Sequence, residues 1–184
     1  MGLVRYLIVV SLCLLFLSGC ATPIRPGMVL SPEKSYVLIG IEPDHFSPSI
    51  SDGFWFGDHF ESTPLLLFKD SSPVPTDGFA IVEVNSSFNY VIDAFSERDA
   101  QNKRIASYLG CTTHLAYSLF VRPGKVVYAG SMRFSKTGSV LWTEITVDEA
   151  AAHSYLQRHY ANLQDNLITL PMEQRKLSNM CAVR

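Results

Sequence analysis

Two Asp-His pairs, Asp44-His45 and Asp58-His59, stand at the ends of a stretch crowded with phenylalanine, glycine and serine. Carboxylate and imidazole both ligate first-row metals, so four converging ligands could hold one ion. Their spacing follows no metal motif, and surface histidines beside turn-forming aspartates give the same pattern. No metal is assigned. Cys111-Thr112-Thr113-His114 puts a thiol and an imidazole close in sequence. A cysteine nucleophile needs a base within hydrogen-bond reach and donors for the developing oxyanion. No third group accompanies the pair, and consecutive residues leading into a strand rarely converge on one point. His153 and His159 are six positions apart, whereas metal ligands on one helix face sit four apart. No catalytic residue emerges, and the chain reads as a protein without enzymatic activity.

Cys20 differs, because its neighbours specify what its sulfur would do. Arg5 is the only charged residue before Glu33, residues 7–16 are apolar apart from Ser11, and the small residues Ser18 and Gly19 stand directly before the cysteine. About ten apolar residues are too few for a bilayer span, which needs ~20, but they suit the core of a secretion leader. The stretch Leu17-Ser18-Gly19-Cys20 resembles the lipobox of bacterial lipoproteins, in which Leu, a small residue and Gly or Ala precede Cys. The resemblance implies a diacylglycerol thioether on the Cys20 sulfur, cleavage after residue 19 and acylation of the new amino terminus. Cysteine is required because a thiolate is the nucleophile that accepts the lipid. Ala21, in place of aspartate, implies export to the outer membrane, with the domain in the periplasm. The alternatives are an ordinary secretion leader that happens to contain a cysteine, or a buried apolar helix. With two or three acyl chains, each methylene adding ~0.8 kcal/mol, release from the membrane would be negligible. The covalent lipid is the one non-protein group expected, and no cofactor is assigned.

Fifteen Lys and Arg against seventeen Asp and Glu give a net charge of −2, with no long run of one sign. That balance argues against a nucleic-acid partner. High Tyr, Phe and Val content with few charges favours a β-rich core, and the length past the leader suits one domain.

The elements follow in order. Residues 20–34 carry Pro23, Pro26, Gly27 and Pro32 and read as a tether from the lipidated cysteine. Strands are expected at 35–42, 63–69, 79–85, 88–95, 115–121, 126–134 and 140–147 from their β-branched and aromatic content. Between the first two, residues 43–62 read as a long irregular insertion holding Phe46, Phe54, Trp55, Phe56 and Phe60. Arg122-Pro123-Gly124-Lys125 fits a type II turn and predicts a hairpin, with Val126, Tyr128, Met132 and Phe134 sharing one strand face. Thr146 and Glu149 fit a capping box before a helix at about 148–163, whose stripe is Ala152, Leu156, Tyr160 and Leu163. A short strand is expected at 167–170, and 171–184 reads as a polar tail. The whole predicts an antiparallel β-sandwich of about seven strands over 35–170, with one C-terminal helix.

The run Phe120-Val121-Arg122-Pro123-Gly124-Lys125-Val126-Val127-Tyr128-Ala129-Gly130, with Val147-Asp148 and Tyr160-Ala161-Asn162-Leu163 after it, resembles a group of uncharacterised bacterial envelope lipoproteins. Their pattern is V-x-P-G-x-V-x-Y-x-G, then a strand, an Asp and a helix. The resemblance covers about residues 115–165. It implies a sandwich and an envelope location, and no activity.

Three expectations follow. The protein is a membrane-anchored, noncatalytic envelope module that binds a protein or an envelope polymer. The alternatives are a structural accessory subunit of an envelope assembly, and an enzyme. Cys13 would leave with the leader and Cys20 would carry lipid, so Cys111 and Cys181 remain as a candidate disulfide in an oxidising compartment. Phe54, Trp55, Phe56 and Phe60 form a candidate contact loop, because clustered aromatics on a loop bury much area at little entropy cost. The competing reading is that this loop folds back and caps one end of the sandwich.

Overall fold

The computed structural model describes residues 30, 32–57, 59–62, 73–85, 89–109, 115–137 and 140–176. Cys20, Cys111, Cys181, Asp58, His114 and the strand expected at 63–69 lie outside them. The described residues form two β-sheets packed face to face, with one α-helix on the outer face of the first.

The first sheet contains β1 (Lys34–Glu42), β4 (Phe79–Asn85), β8 (Val126–Thr137), β9 (Val140–Thr146) and β10 (Leu167–Thr169). The second contains β2 (Phe46–Phe56), β3 (His59–Ser62), β5 (Asn89–Arg98), β6 (Arg104–Leu109), β7 (Leu115–Leu119) and β11 (Glu173–Lys176). The sandwich is mainly antiparallel, but β1 and β10 each pair with β8 in parallel. That departs from the wholly antiparallel expectation, and the described residues form eleven strands where about seven were expected. β1 is covered on both faces: Val37, Ile39 and Ile41 enter the core between the sheets, while Tyr36 and Leu38 lie under the helix. Burial on both faces is why its sequence is a continuous apolar run without polar alternation.

The insertion expected at 43–62 is a strand pair. β2 and β3 form a hairpin in which Trp55 faces Phe60 and Phe54 faces Glu61. Pro48, Gly53 and the serines disguise β2 as loop, yet its pairing with β5 supplies its backbone partners. Phe46 at its start stacks on Phe134 of β8 at 4.7 Å, and Phe95 of β5 meets Phe134 edge-on at 4.8 Å. Each such pair adds about 0.5–1.5 kcal/mol to the burial it accompanies.

Residues 120–125 do not close a hairpin. The type II turn is present, with Gly124 at φ +66° and Lys125 N donating to Arg122 O at 3.1 Å. Yet β7 belongs to the second sheet and β8 to the first, so the turn arches between sheets. Arg122 O also accepts from Ser35 Oγ of β1, and Gly124 N donates to Lys34 O.

The four β8 residues expected on one face are divided. Val126 and Tyr128 lie under the helix, whereas Met132 and Phe134 face the core between the sheets. The pairing with β1 shifts between Leu38 and Gly40, where β8 carries one extra residue. Gly130, at φ +95°, accommodates that bulge, which reverses the alternation.

The helix α1 (Glu149–His159) is capped by Asp148, whose Oδ1 accepts from Ala151 N at 2.9 Å, so Thr146 ends β9 instead of capping. A 3-10 helix (Ala161–Asn166) replaces the last expected turn, and buried Ala152, Tyr155, Leu156 and Leu163 cover Tyr36, Leu38, Phe79, Val126 and Tyr128. The expected polar tail is partly structural: Met172 is buried and β11 pairs with β7.

Candidate functional site

β2 and β3 position the aromatic residues singled out in the sequence. Successive strand residues point to opposite faces, and the hairpin divides the aromatics accordingly. Phe54 is 45 % exposed and Phe56 61 % exposed. Trp55 is half-buried against Phe60, with ring centroids 5.1 Å apart, in a cluster with Val91 and Ala116. The Arg175 guanidinium of β11 lies 4.8 Å from the Trp55 ring centroid. Trp55 Nε1 is buried and has no hydrogen-bond partner among the described residues. Trp55 and Phe60 therefore cover the outer face of the second sheet, while Phe54 and Phe56 stay exposed.

Sequence reasoning passed over two further exposed aromatics. Phe120 is 36 % exposed where β7 ends, and Trp142 is 62 % exposed on β9. Alternation could have found Trp142, since Leu141 and Ile145 on the same strand pack into the core.

The two Asp-His pairs are separated by β2. Asp44 and His45 precede it and His59 opens β3 after it, so about 35 Å of extended chain lies between them. Among the described residues, no group of three or more His, Cys, Asp or Glu could hold a metal ion. His153 is exposed on α1, whereas His159 Nε2 lies 2.8 Å from Asp77 Oδ2, to which Arg158 Nη1 also donates at 3.2 Å. These contacts tie the end of α1 to the Thr76–Phe79 turn, with Asp77 at φ +50° and Gly78 at φ +78°.

At the opposite end of the sandwich from the β2–β3 tip, Asp44, His45, Glu97, Arg98, Asp99 and Asn102 line an open cleft of about 720 Å³. Its polar groups are largely committed to the fold. Arg98 Nε donates to Ser47 Oγ at 2.9 Å and Arg98 Nη1 to Asn102 O at 3.0 Å. Asp99 Oδ1 accepts from Gln101 N and Lys103 N. Glu97 Oε2 accepts from Tyr108 Oη at 2.6 Å and from Lys136 Nζ at 2.9 Å. The Tyr108 hydrogen bond and then that of Lys136 hold the Glu97 carboxyl below its usual range. Lys136 belongs to β8 and Glu97 to β5, so this cluster fastens the two sheets together.

No family model, curated protein or solved structure matches the chain. Among the described residues, no helix is long and apolar enough to cross a membrane.

Proposed function

We propose that this chain is a lipid-anchored envelope protein whose sandwich binds another protein or an envelope polymer and catalyses no reaction. Residues 17–20 supply the anchor, with Cys20 as the acylated residue, and the outer membrane facing the periplasm is the proposed location. The observation that carries the binding reading is apolar surface on two hairpins: Phe54 and Phe56 on β2–β3, and Trp142 on β8–β9. Exposed aromatics grouped on projecting elements are typical of contact sites. The polar side chains of the cleft support the noncatalytic reading, because Glu97, Arg98 and Asp99 are occupied in holding strands and turns.

Two measurements test the proposal. Cys20→Ser should abolish incorporation of labelled fatty acid and leave the precursor uncleaved; normal labelling of that variant removes the anchor. Pulldown from crosslinked envelopes should recover a partner from the parent chain and lose it on Trp142→Ala. Recovery of a complex of fixed stoichiometry would favour an accessory subunit of an assembly.

A further inference from the structure

Phe54, Phe56 and Phe120 are the exposed phenylalanines among the described residues, and all three lie at the end of the sandwich where the chain arrives from Cys20. The strand registers place them there. β1 begins at Lys34, opposite Asn85. Tyr90 Oη accepts from Asn85 N at 2.9 Å and donates to Asn85 O at 3.0 Å, which brings the second sheet to the same level. There Asn89 faces Gly53 of β2, and Tyr90 faces both Asp52 of β2 and Leu119 of β7. β2 runs toward this end, so Phe54 and Phe56 extend beyond it. Phe120 follows Leu119 two strands away, a lateral distance of about 10 Å. The arch after Phe120 is bonded to the point of chain entry, through Gly124 N to Lys34 O and Ser35 Oγ to Arg122 O.

We infer that this end seats on the bilayer, with Phe54, Phe56 and Phe120 entering the boundary between headgroups and acyl chains. The inference rests on the reading of Cys20 as a lipid anchor. Leu30 already packs on the domain, so the chain between Cys20 and Leu30 spans about 30 Å when extended, which keeps the sandwich within reach of the membrane. Tethering of that kind makes the second contact effectively intramolecular, so a few side chains suffice. Charges of both signs flank the three phenylalanines: Lys34 pairs with Glu83, Arg175 lies over Trp55 and pairs with Glu173, and Asp52 faces Tyr90, so no net basic patch draws this end to headgroups and the contact is apolar. Raised salt should not release it. The hairpin with Trp142 then points away from the membrane.

The test uses the full-length chain carrying Trp142→Phe, so that Trp55, next to Phe54 and Phe56, is the remaining tryptophan. The acylated protein is reconstituted into phosphatidylcholine vesicles with or without bromine on the acyl carbons nearest the headgroup. Trp55 fluorescence is expected to be lost in the brominated vesicles at low and high salt alike. Adding Phe54→Ser, Phe56→Ser and Phe120→Ser should restore it while the protein stays on the vesicles. Equal fluorescence in both kinds of vesicle, from protein that remains bound, overturns the docking and leaves the anchor standing. Protein that carries no fatty acid overturns both. A triple variant that stays quenched but loses a crosslinked envelope protein assigns the phenylalanines to a protein partner and ends the inference.

Discussion

Gly40 and Ser131 meet with no room for a side chain between them: a Cβ on Gly40 would fall 2.0 Å from Ser131 Oγ and 2.6 Å from Ser131 Cβ. The serine hydroxyl is held by Tyr128 Oη at 2.7 Å, and that oxygen also accepts from Asp148 N at the start of α1. One contact thus joins β1, the bulge of β8 and the helix cap. Gly40→Ala should lower stability by about 1–3 kcal/mol through overpacking. Urea unfolding followed by circular dichroism checks this, and Ser131→Gly in the same chain should recover part of the loss. An unchanged midpoint for Gly40→Ala would mean that β1 and β8 do not meet at this register.

Trp55 and Phe56 are adjacent but should respond oppositely to substitution. Trp55 packs on Phe60 and under Arg175, so Trp55→Ala should cost about 2–3 kcal/mol, below the value for a fully buried ring. Phe56 is 61 % exposed, and Phe56→Ser should leave the unfolding midpoint within about 0.5 kcal/mol of the parent. Equal losses for the two variants would contradict the division of the hairpin into a covering face and a contact face.

Glu97 makes the fold sensitive to acid. Its carboxyl is held below the usual range in the folded chain, first by Tyr108 and then by Lys136. Folding therefore favours the charged form. The stabilisation is complete above the unfolded carboxylate value of about 4.3 and is lost as pH falls through the lower folded value. Stability of the parent and of Glu97→Gln, measured from pH 7 downward, should differ most near neutrality and converge in acid. A difference that widens on acidification would reverse the sign argued here.

Cys111 and Cys181 are predicted to pair, although both lie outside the described residues. Thiol counting on mature protein unfolded without reductant should find neither reactive. Closing a loop of this size limits the unfolded chain by roughly 4 kcal/mol in the entropy model, so reduction should lower the melting temperature. Two reactive thiols would rule out the bridge.

The sequence made individual strands legible more readily than the sheet to which each belongs. Pro123 and Gly124 specify a type II turn, and the turn is there, but the same local geometry serves a hairpin or an arch between sheets. Only the distant partners of β7 and β8 decide which, and those are β5 and β1. β2 was hidden by Pro48, Asp52 and Gly53, which are poor strand formers tolerated because β5 supplies the pairing. On β8 the alternation failed at Gly130, where one extra residue exchanges the two faces. The helix was evident from its apolar spacing, but its cap was misplaced because Thr146 is drawn into β9 by pairing with Ser131. The division between Trp55 and Phe56 followed from alternation once residues 46–56 were known to be a strand.

The central strand of the first sheet must wait for its partner. β1 lies between β4 and β8, and its contacts at the arch join Ser35 to Arg122, 87 positions later. In order of synthesis, one whole edge of β1 stays unpaired until the chain beyond Lys125 has appeared. Pairings of such long separation form slowly, because the loop must close before any contact repays it. Under the proposed export of the chain from its amino terminus, the strand that enters first would have no complete sheet to join, so the polymer would remain extended enough to pass. The same delay exposes an apolar edge during transit, the state in which a neighbouring copy can pair with it, so binding of that edge by a chaperone would matter most before β8 arrives.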